Sequence, residues 1–280
     1  MTDLGLLSNA SLLAIAAILL IGVPHGGLDG AVARRIGWPG GTVPWVLFHL
    51  VYLLLAASVA GLWWLYPLPS LIFFLLISAL HFGSSDMRHI NAPFARSSWL
   101  PLIAHGGLVV IAIPVFQSDA VEPLFALLIG AENSLWLLKQ IDFLLLPWVA
   151  CLTAYLIYSV YQPRWRGALL NLSLLIGLAY LLPPLVSFAL YFCLWHSRSH
   201  MQRIWQSIPL DQRRRGTIET LAYSLLAYVA AGLYFLLQRE TGSAPSATLV
   251  QLTFIGLAAL TVPHMLLVDF IHGQREEQHD

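Results

Sequence analysis

The chain has 280 residues, 58% of them hydrophobic and only 10% charged, and its formal charge is zero. A soluble domain carries about 25% charged residues, so too few remain here to cover a water-facing surface, and a mean hydropathy of +0.75 agrees. These values exclude disulfide-rich secreted, coiled-coil, collagen-like and disordered classes, and the lack of a basic face excludes nucleic acid as a partner.

A helix needs about 20 mostly apolar residues to cross the hydrocarbon core of a bilayer. Nine runs have that character: Asn9–Gly27, Pro44–Tyr66, Pro69–Asp86, Trp99–Phe116, Ile141–Tyr161, Gly167–Leu182, Pro184–Ile204, Ile218–Gln238 and Thr248–His272. The first lacks a basic flank, since the first Arg is Arg34, and it ends in Pro24-His25-Gly26-Gly27 instead of a cleavage site. It reads as a retained transmembrane helix. Prolines punctuate the later boundaries at Pro67, Pro163 and Pro183-Pro184. The stretch Ser118–Gln140, with Asp119, Glu122 and Glu132, reads as an external loop holding a short interfacial helix. Cys151 and Cys193 lie in apolar runs and read as small buried hydrophobes.

The fold class predicted is therefore all-α: a polytopic transmembrane helix bundle of about nine spans, with eight the nearest alternative. It forms a single transmembrane domain over residues 1–280. Of the fourteen Lys and Arg residues, only Lys139 and Arg239 fall on the side reached after even-numbered spans. The positive-inside rule then puts the N-terminus outside and the C-terminus in the cytoplasm, in a multi-pass inner (plasma) membrane protein. Arg213-Arg214-Arg215 reads as a topology anchor near anionic lipid and not as a ligand site.

There are ten histidines. On this topology His25, His49, His81, His105, His196, His200 and His264 occupy one slab near the cytoplasmic end, whereas His89, His272 and His279 are loop, terminal or interfacial residues. Ionisable side chains at membrane depth are costly and face a bundle interior or a wet cavity. In His196-Ser197-Arg198-Ser199-His200 the i, i+4 spacing stacks two imidazoles on one helix face. With His25 and His81 from other spans, the pair points to a metal site. Imidazole suits zinc, copper, iron and nickel. Four neutral histidines without a thiolate fit Fe(II) with positions left open for oxygen, while a structural zinc or a haem between His49 and His105 are alternatives. Asp29, Asp86 and Asp269 follow His25, His81 and His264 by four or five residues. Such a carboxylate takes the second ring N–H of a ligating histidine, or Asp29 itself joins two histidines as a ligand. Aromatic side chains suit the walls of an apolar tunnel: Phe48, Tyr52, Trp64, Phe73, Phe74, Trp148, Tyr155, Tyr191, Phe192 and Trp195. Of these, Phe192 and Trp195 lie within one turn of His196.

At Pro24-His25-Gly26-Gly27-Leu28-Asp29, His81-Phe82-Gly83-Ser84-Ser85-Asp86, Trp195-His196-Ser197-Arg198-Ser199-His200 and Pro263-His264-Met265 the chain resembles the Brp/Blh family of membrane β-carotene 15,15′-dioxygenases. The order and separations of these pieces match across nearly the whole chain. The first motif departs from the pattern at Gly30, where a further His is expected. The resemblance implies cleavage of the central double bond of β-carotene, or a related carotenoid, with O2 to give two retinal molecules. It implies Fe(II) held by His25, His81, His196 and His200. It places Asp29 and His264 in the reactive centre; a polyene substrate needs apolar walls, which makes Tyr191, Phe192 and Trp195 the substrate-side candidates. Membrane lipid and a retinal-accepting rhodopsin are the partners it implies. A metal or proton transporter using the histidines as a relay is the competing reading, but it needs ionisable residues through the whole membrane depth, and the outer halves of the spans are nearly all apolar.

Overall fold

A lipid-facing backbone has no water to bond, so a chain this apolar must satisfy its own N–H and C=O groups by coiling. The computed structural model describes residues 7–87 and 99–272, the last three by backbone alone, and among them there is no strand. His89 and His279 lie outside the described residues, as do Arg88, Arg96 and Arg275. In chain order the helices are α1 (Asn9–Ala17), α2 (Asp29–Arg35), α3 (Thr42–Leu65), α4 (Pro67–Met87), α5 (Trp99–Gly107), α6 (Ile113–Phe116) and α7 (Ser118–Ile129). They continue with α8 (Ala131–Tyr161), α9 (Arg166–Leu181), α10 (Pro184–Ala189), α11 (Arg198–Ser207), α12 (Leu210–Glu240) and α13 (Pro245–Met265).

Among the described residues, seven helical stretches are long and apolar enough to cross a membrane: Asn9–Arg35, Thr42–Leu65, Pro67–Met87, Trp99–Phe116, Ala131–Tyr161, Leu210–Glu240 and Pro245–Asp269. The sixth and seventh runs expected from the sequence are also helical but do not meet that criterion. One, α9, has only 16 residues. The other is split into α10, a π-helical segment Leu190–Ser197 and α11.

One expectation needs correction. Ser118–Gln140 does hold a short helix, α7, but the part after Gly130, whose φ of +84° makes the corner, is not loop: it is the first turns of α8. Two of the three acidic residues that suggested a loop are N-terminal helix charges: Asp119 lies in the first turn of α7 and Glu132 in that of α8. Both favour the positive end of a helix dipole.

The chain divides into two compact units, Met1–Pro67 with Phe192–Asp280, and Leu68–Tyr191. In the first, Leu28, Val32, Ile36, Phe48, Ile204 and Val268 form a buried cluster around α2. Gly27 allows close approach to α12, because a Cβ there would stand 2.9 Å from the Thr220 backbone. In lipid such van der Waals packing between small residues is what holds helices together, since the tails are as apolar as leucine. In the second unit the Trp148 indole N–H donates to the Ala104 carbonyl at 3.1 Å, and α4 and α5 touch backbone to backbone at Gly83 and Gly106.

Helical register changes recur beside the buried histidines. α1 passes through a π turn (Ile18–Gly22) and a 3-10 segment (Val23–Leu28) that carries His25. The segment Leu190–Ser197 carries His196, and π segments follow His105 (Leu108–Ala112) and His264 (Leu266–His272). Such insertions re-aim side chains and are frequent at functional sites.

Candidate functional site

His25, His196, His200 and His264 come together in the first unit. All four are buried, with relative exposures of 9%, 1%, 2% and 3%. The His25 ring centroid is 6.0 Å from His196, 5.7 Å from His200 and 5.1 Å from His264. His196 and His200 are 6.2 Å apart and His200 and His264 are 4.9 Å apart.

The i, i+4 rule builds half of this cluster. Phe192, His196 and His200 form a ladder of near-parallel rings, at 6.1 Å and 6.2 Å with interplanar angles of 12° in both steps. Phe192 also meets His25 edge-on at 5.3 Å. Its ring occupies the space that a Cβ on Gly22 would need. Cys193, on the same π segment, donates its thiol to the Ala17 carbonyl at 3.3 Å. Tyr228 of α12 donates to the Leu19 carbonyl at 3.1 Å. These bonds tie neighbouring segments to the last residue of α1 and to the irregular stretch after it.

Hydrogen bonding fixes two tautomers. His25 Nδ1 bonds the Gly22 carbonyl. A carbonyl only accepts, so Nδ1 carries the proton, and in the neutral ring Nε2 keeps its lone pair. His264 Nδ1 is 2.7 Å from Asp29 Oδ1. An ionised carboxylate also only accepts, so this Nδ1 is protonated too. The other carboxylate oxygen accepts from the Tyr52 hydroxyl at 2.9 Å. His264–Asp29–Tyr52 is therefore a buried relay that orients the His264 ring, as carboxylates do behind metal-bound imidazoles.

His49 is different. Its Nδ1 donates to the Trp45 carbonyl and its Nε2 accepts from the Tyr223 hydroxyl, both at 2.7 Å. Neither nitrogen is left for a metal, so the haem arrangement with His49 does not fit this structure.

A cavity of about 330 Å³ opens beside the cluster, lined by His25, His264, Asp29 and Tyr52 at one end and by Phe48, Leu226, Ala227, Ala230, Leu257 and Leu260 along its walls. That volume is at the low end for ligand sites, suited to roughly twenty non-hydrogen atoms. Of the expected tunnel aromatics, Phe48 and Tyr52 line this cavity. Phe192 touches the histidines and Trp195 is half-buried. Trp64 and Phe73 face outward, with 72% and 52% exposure. The wall residues from α12 and α13 carry no chemical signature, and sequence reasoning missed them.

His81, Asp86, His105 and Tyr191 belong to the second unit. His81 is buried in α4, its ring 5.8 Å from Phe82. The Tyr191 hydroxyl donates to Asp86 Oδ2 at 2.9 Å, and His105 Nδ1 lies 3.6 Å from that oxygen. Tyr191 thus bonds Asp86 directly. Asp269 is half-buried in the π segment after α13.

The donor set can be tested against a metal. Imidazoles bound to one ion at ~2.0–2.1 Å hold their ring centroids roughly 4.5–6.5 Å apart, and the spacings of 4.9–6.2 Å fall in that range. All-imidazole donors suit a divalent first-row transition metal. Among the described residues no three His, Cys, Asp or Glu side chains close on a common point, so the four rings fit the ion as a cluster and not as a formed shell.

The family model described as β-carotene 15,15′-dioxygenase matches residues 16–272. A β-carotene 15,15′-dioxygenase from an uncultured marine bacterium is 37% identical over 268 residues, covering 92% of each chain. A probable β-carotene 15,15′-dioxygenase of Halobacterium salinarum is 24% identical over 291 residues, covering 92% of this chain and 83% of its own. No solved structure matches the chain.

Proposed function

The chain belongs to the β-carotene 15,15′-dioxygenase family, and from that premise we propose how its residues serve carotenoid cleavage to retinal. His25, His196 and His200 hold Fe(II), with His264 beside them oriented by Asp29 and Tyr52. His81 joins the proposal through its sequence motif alone, and its own variant tests it. Iron supplies the oxygen chemistry with O2 when bound; the protein supplies orientation and a dry site. The observation that carries this reading is the four-histidine cluster at the end of an apolar cavity.

β-Carotene or a related carotenoid dissolves in lipid, so its entry is from the membrane. The cavity volume suits one half of the polyene, with its central bond at the histidines. Phe48 and the aliphatic walls from α12 and α13 keep that half dry and straight. Phe192, packed on His25 and His196, limits how far the chain can shift along its length. Holding one double bond in register is the protein's main contribution to rate. Trp195, on the same segment, and Tyr191, which holds Asp86, are the remaining substrate-side candidates. The long apolar helices fit a multi-pass protein of the inner membrane. Retinal released into that membrane is open to a rhodopsin that accepts it.

The test is retinal formation, read by chromatography, in membranes of a β-carotene-accumulating host. The parent chain gives retinal. His196→Ala and His200→Ala insert normally but lose iron and retinal, and His81→Ala shows whether the fourth ligand belongs to the set. His279→Ala is the neutral control. Retinal and iron retained in both the His196 and His200 variants would refute the site.

A further inference from the structure

A second concavity lies in the first unit, about 840 Å³ and open, at the start of α3. It is lined by Arg34, Trp38, Gly41, Thr42, Trp45 and Arg215 and, further along α3, by Val46, His49, Leu50 and Leu53. Both guanidiniums lie over the Trp45 ring, at 5.3 Å for Arg34 and 5.6 Å for Arg215. Trp38 is fixed by donating its indole N–H to the Pro44 carbonyl at 3.0 Å.

The charges do not cancel. Glu219 is the carboxylate bonded to both arginines: it takes a bidentate pair from Arg34 at 2.8 and 2.7 Å and the Nε of Arg215 at 2.8 Å. Two cations against one anion leave an excess positive charge in the groove. The Arg34 Nε is buried and makes no hydrogen bond. The Arg215 side chain is 56% exposed, and its Nη atoms are not spent on Glu219. α3 begins at Gly41 without a side-chain cap, so its first-turn N–H groups add to the same positive field.

The apolar end has its own direction. Val43, Val46, Leu47, Leu50 and Leu53 are all exposed and follow helical spacing along α3. A ligand that matches both ends has an anionic head and a hydrocarbon tail. Indole rings at a membrane interface flank such heads, and arginine bonds phosphate oxygens in pairs.

We propose that this groove binds one anionic glycerophospholipid, its phosphate on Arg34 and Arg215 beside Trp45 and one acyl chain along the outer face of α3. The inference rests on the membrane reading of α3 and not on carotenoid chemistry, so the two can fail separately. The lipid would also hold α2, the start of α3 and the start of α12 in one arrangement, since Arg34 belongs to α2, Trp45 to α3 and Arg215 to α12.

The test uses the full chain in nanodiscs of mixed phosphatidylcholine and phosphatidylglycerol, transferred to detergent and read by native mass spectrometry. The parent retains one phosphatidylglycerol in preference to phosphatidylcholine. Arg215→Gln lowers that retention roughly five- to tenfold, the size expected for one arginine at an anionic lipid, and Trp45→Leu lowers it as well. Arg239→Gln, at the far end of α12, leaves it unchanged. The proposal is overturned if the parent shows no preference, if Arg215→Gln behaves as the parent, if Arg239→Gln lowers retention equally, or if inorganic phosphate displaces the lipid. Arg34 is left intact in these variants because its bidentate pair links α2 to α12.

Discussion

Asp29 is the residue whose replacement best separates orientation from binding. It is 3% exposed and accepts from His264 Nδ1 at 2.7 Å and from Tyr52 at 2.9 Å. Asparagine keeps its shape but offers one acceptor oxygen, so the amide turns that oxygen to His264 and its NH2 to the Tyr52 oxygen. The His264 bond survives without charge assistance. A bond to a charged group contributes about 1.5–3 kcal/mol net and a neutral one about 0.5–1.5. The difference of roughly 1–1.5 kcal/mol is about five- to tenfold in iron affinity or turnover. Alanine removes both acceptors and leaves the His264 ring free to turn beside the iron, and turnover should fall by up to ~100-fold, the upper range for deleting a carboxylate that orients a metal-site histidine. Iron per chain by emission spectroscopy, retinal per chain by chromatography and the melting temperature in detergent give three independent readings. An Asp29→Ala protein that melts early yet binds iron and turns over as the parent does would show that Asp29 only joins helices.

Other outcomes follow from the same geometry. Tyr52→Phe removes one donor to Asp29 and should cost only a few-fold in turnover; because both act through one carboxylate, the double variant with Asp29→Asn should be non-additive. Gly27→Ala drives a Cβ into the Thr220 backbone, an overpacking that costs about 1–3 kcal/mol. The melting temperature should fall, and Thr220→Ala should restore only part of it because the clash with the main chain stays. Leu257→Trp fills the cavity wall and should lower retinal formation while iron stays bound; full turnover would place the carotenoid elsewhere. His49→Phe deprives Tyr223 of its acceptor, a loss of about 1 kcal/mol in stability, and iron content should not change. Iron lost with His49 would contradict its assignment as a helix-linking hydrogen bonder.

Composition was enough for the fold class, and helical spacing for the neighbourhood of two of the clustered histidines. Hydrocarbon thickness demands long apolar runs and a coiled backbone, and both are readable without tertiary information. Helical spacing puts His196 and His200 on one face, and their rings do lie parallel at 6.2 Å. The chemistry of a charged group in an apolar run marked Asp29 and His264 as unusual. Their partnership could not be read, because 235 positions separate them and only the packing of α13 beside the 3-10 segment brings them together. The π turns beside His25, His196 and His264 were equally hidden, since no residue pattern dictates where a helix admits an extra residue; neighbouring side chains such as Tyr228 satisfy the carbonyls there. Glu132 misled because an acidic residue looks the same in a loop and in the first turn of a helix, and it is the corner at Gly130 that tells them apart. The Arg34–Glu219–Arg215 grouping is visible in the sequence only as scattered charges. That the two arginines share one carboxylate emerges from the folded chain, because an ion pair needs its partners within a few ångströms while sequence sets only their order.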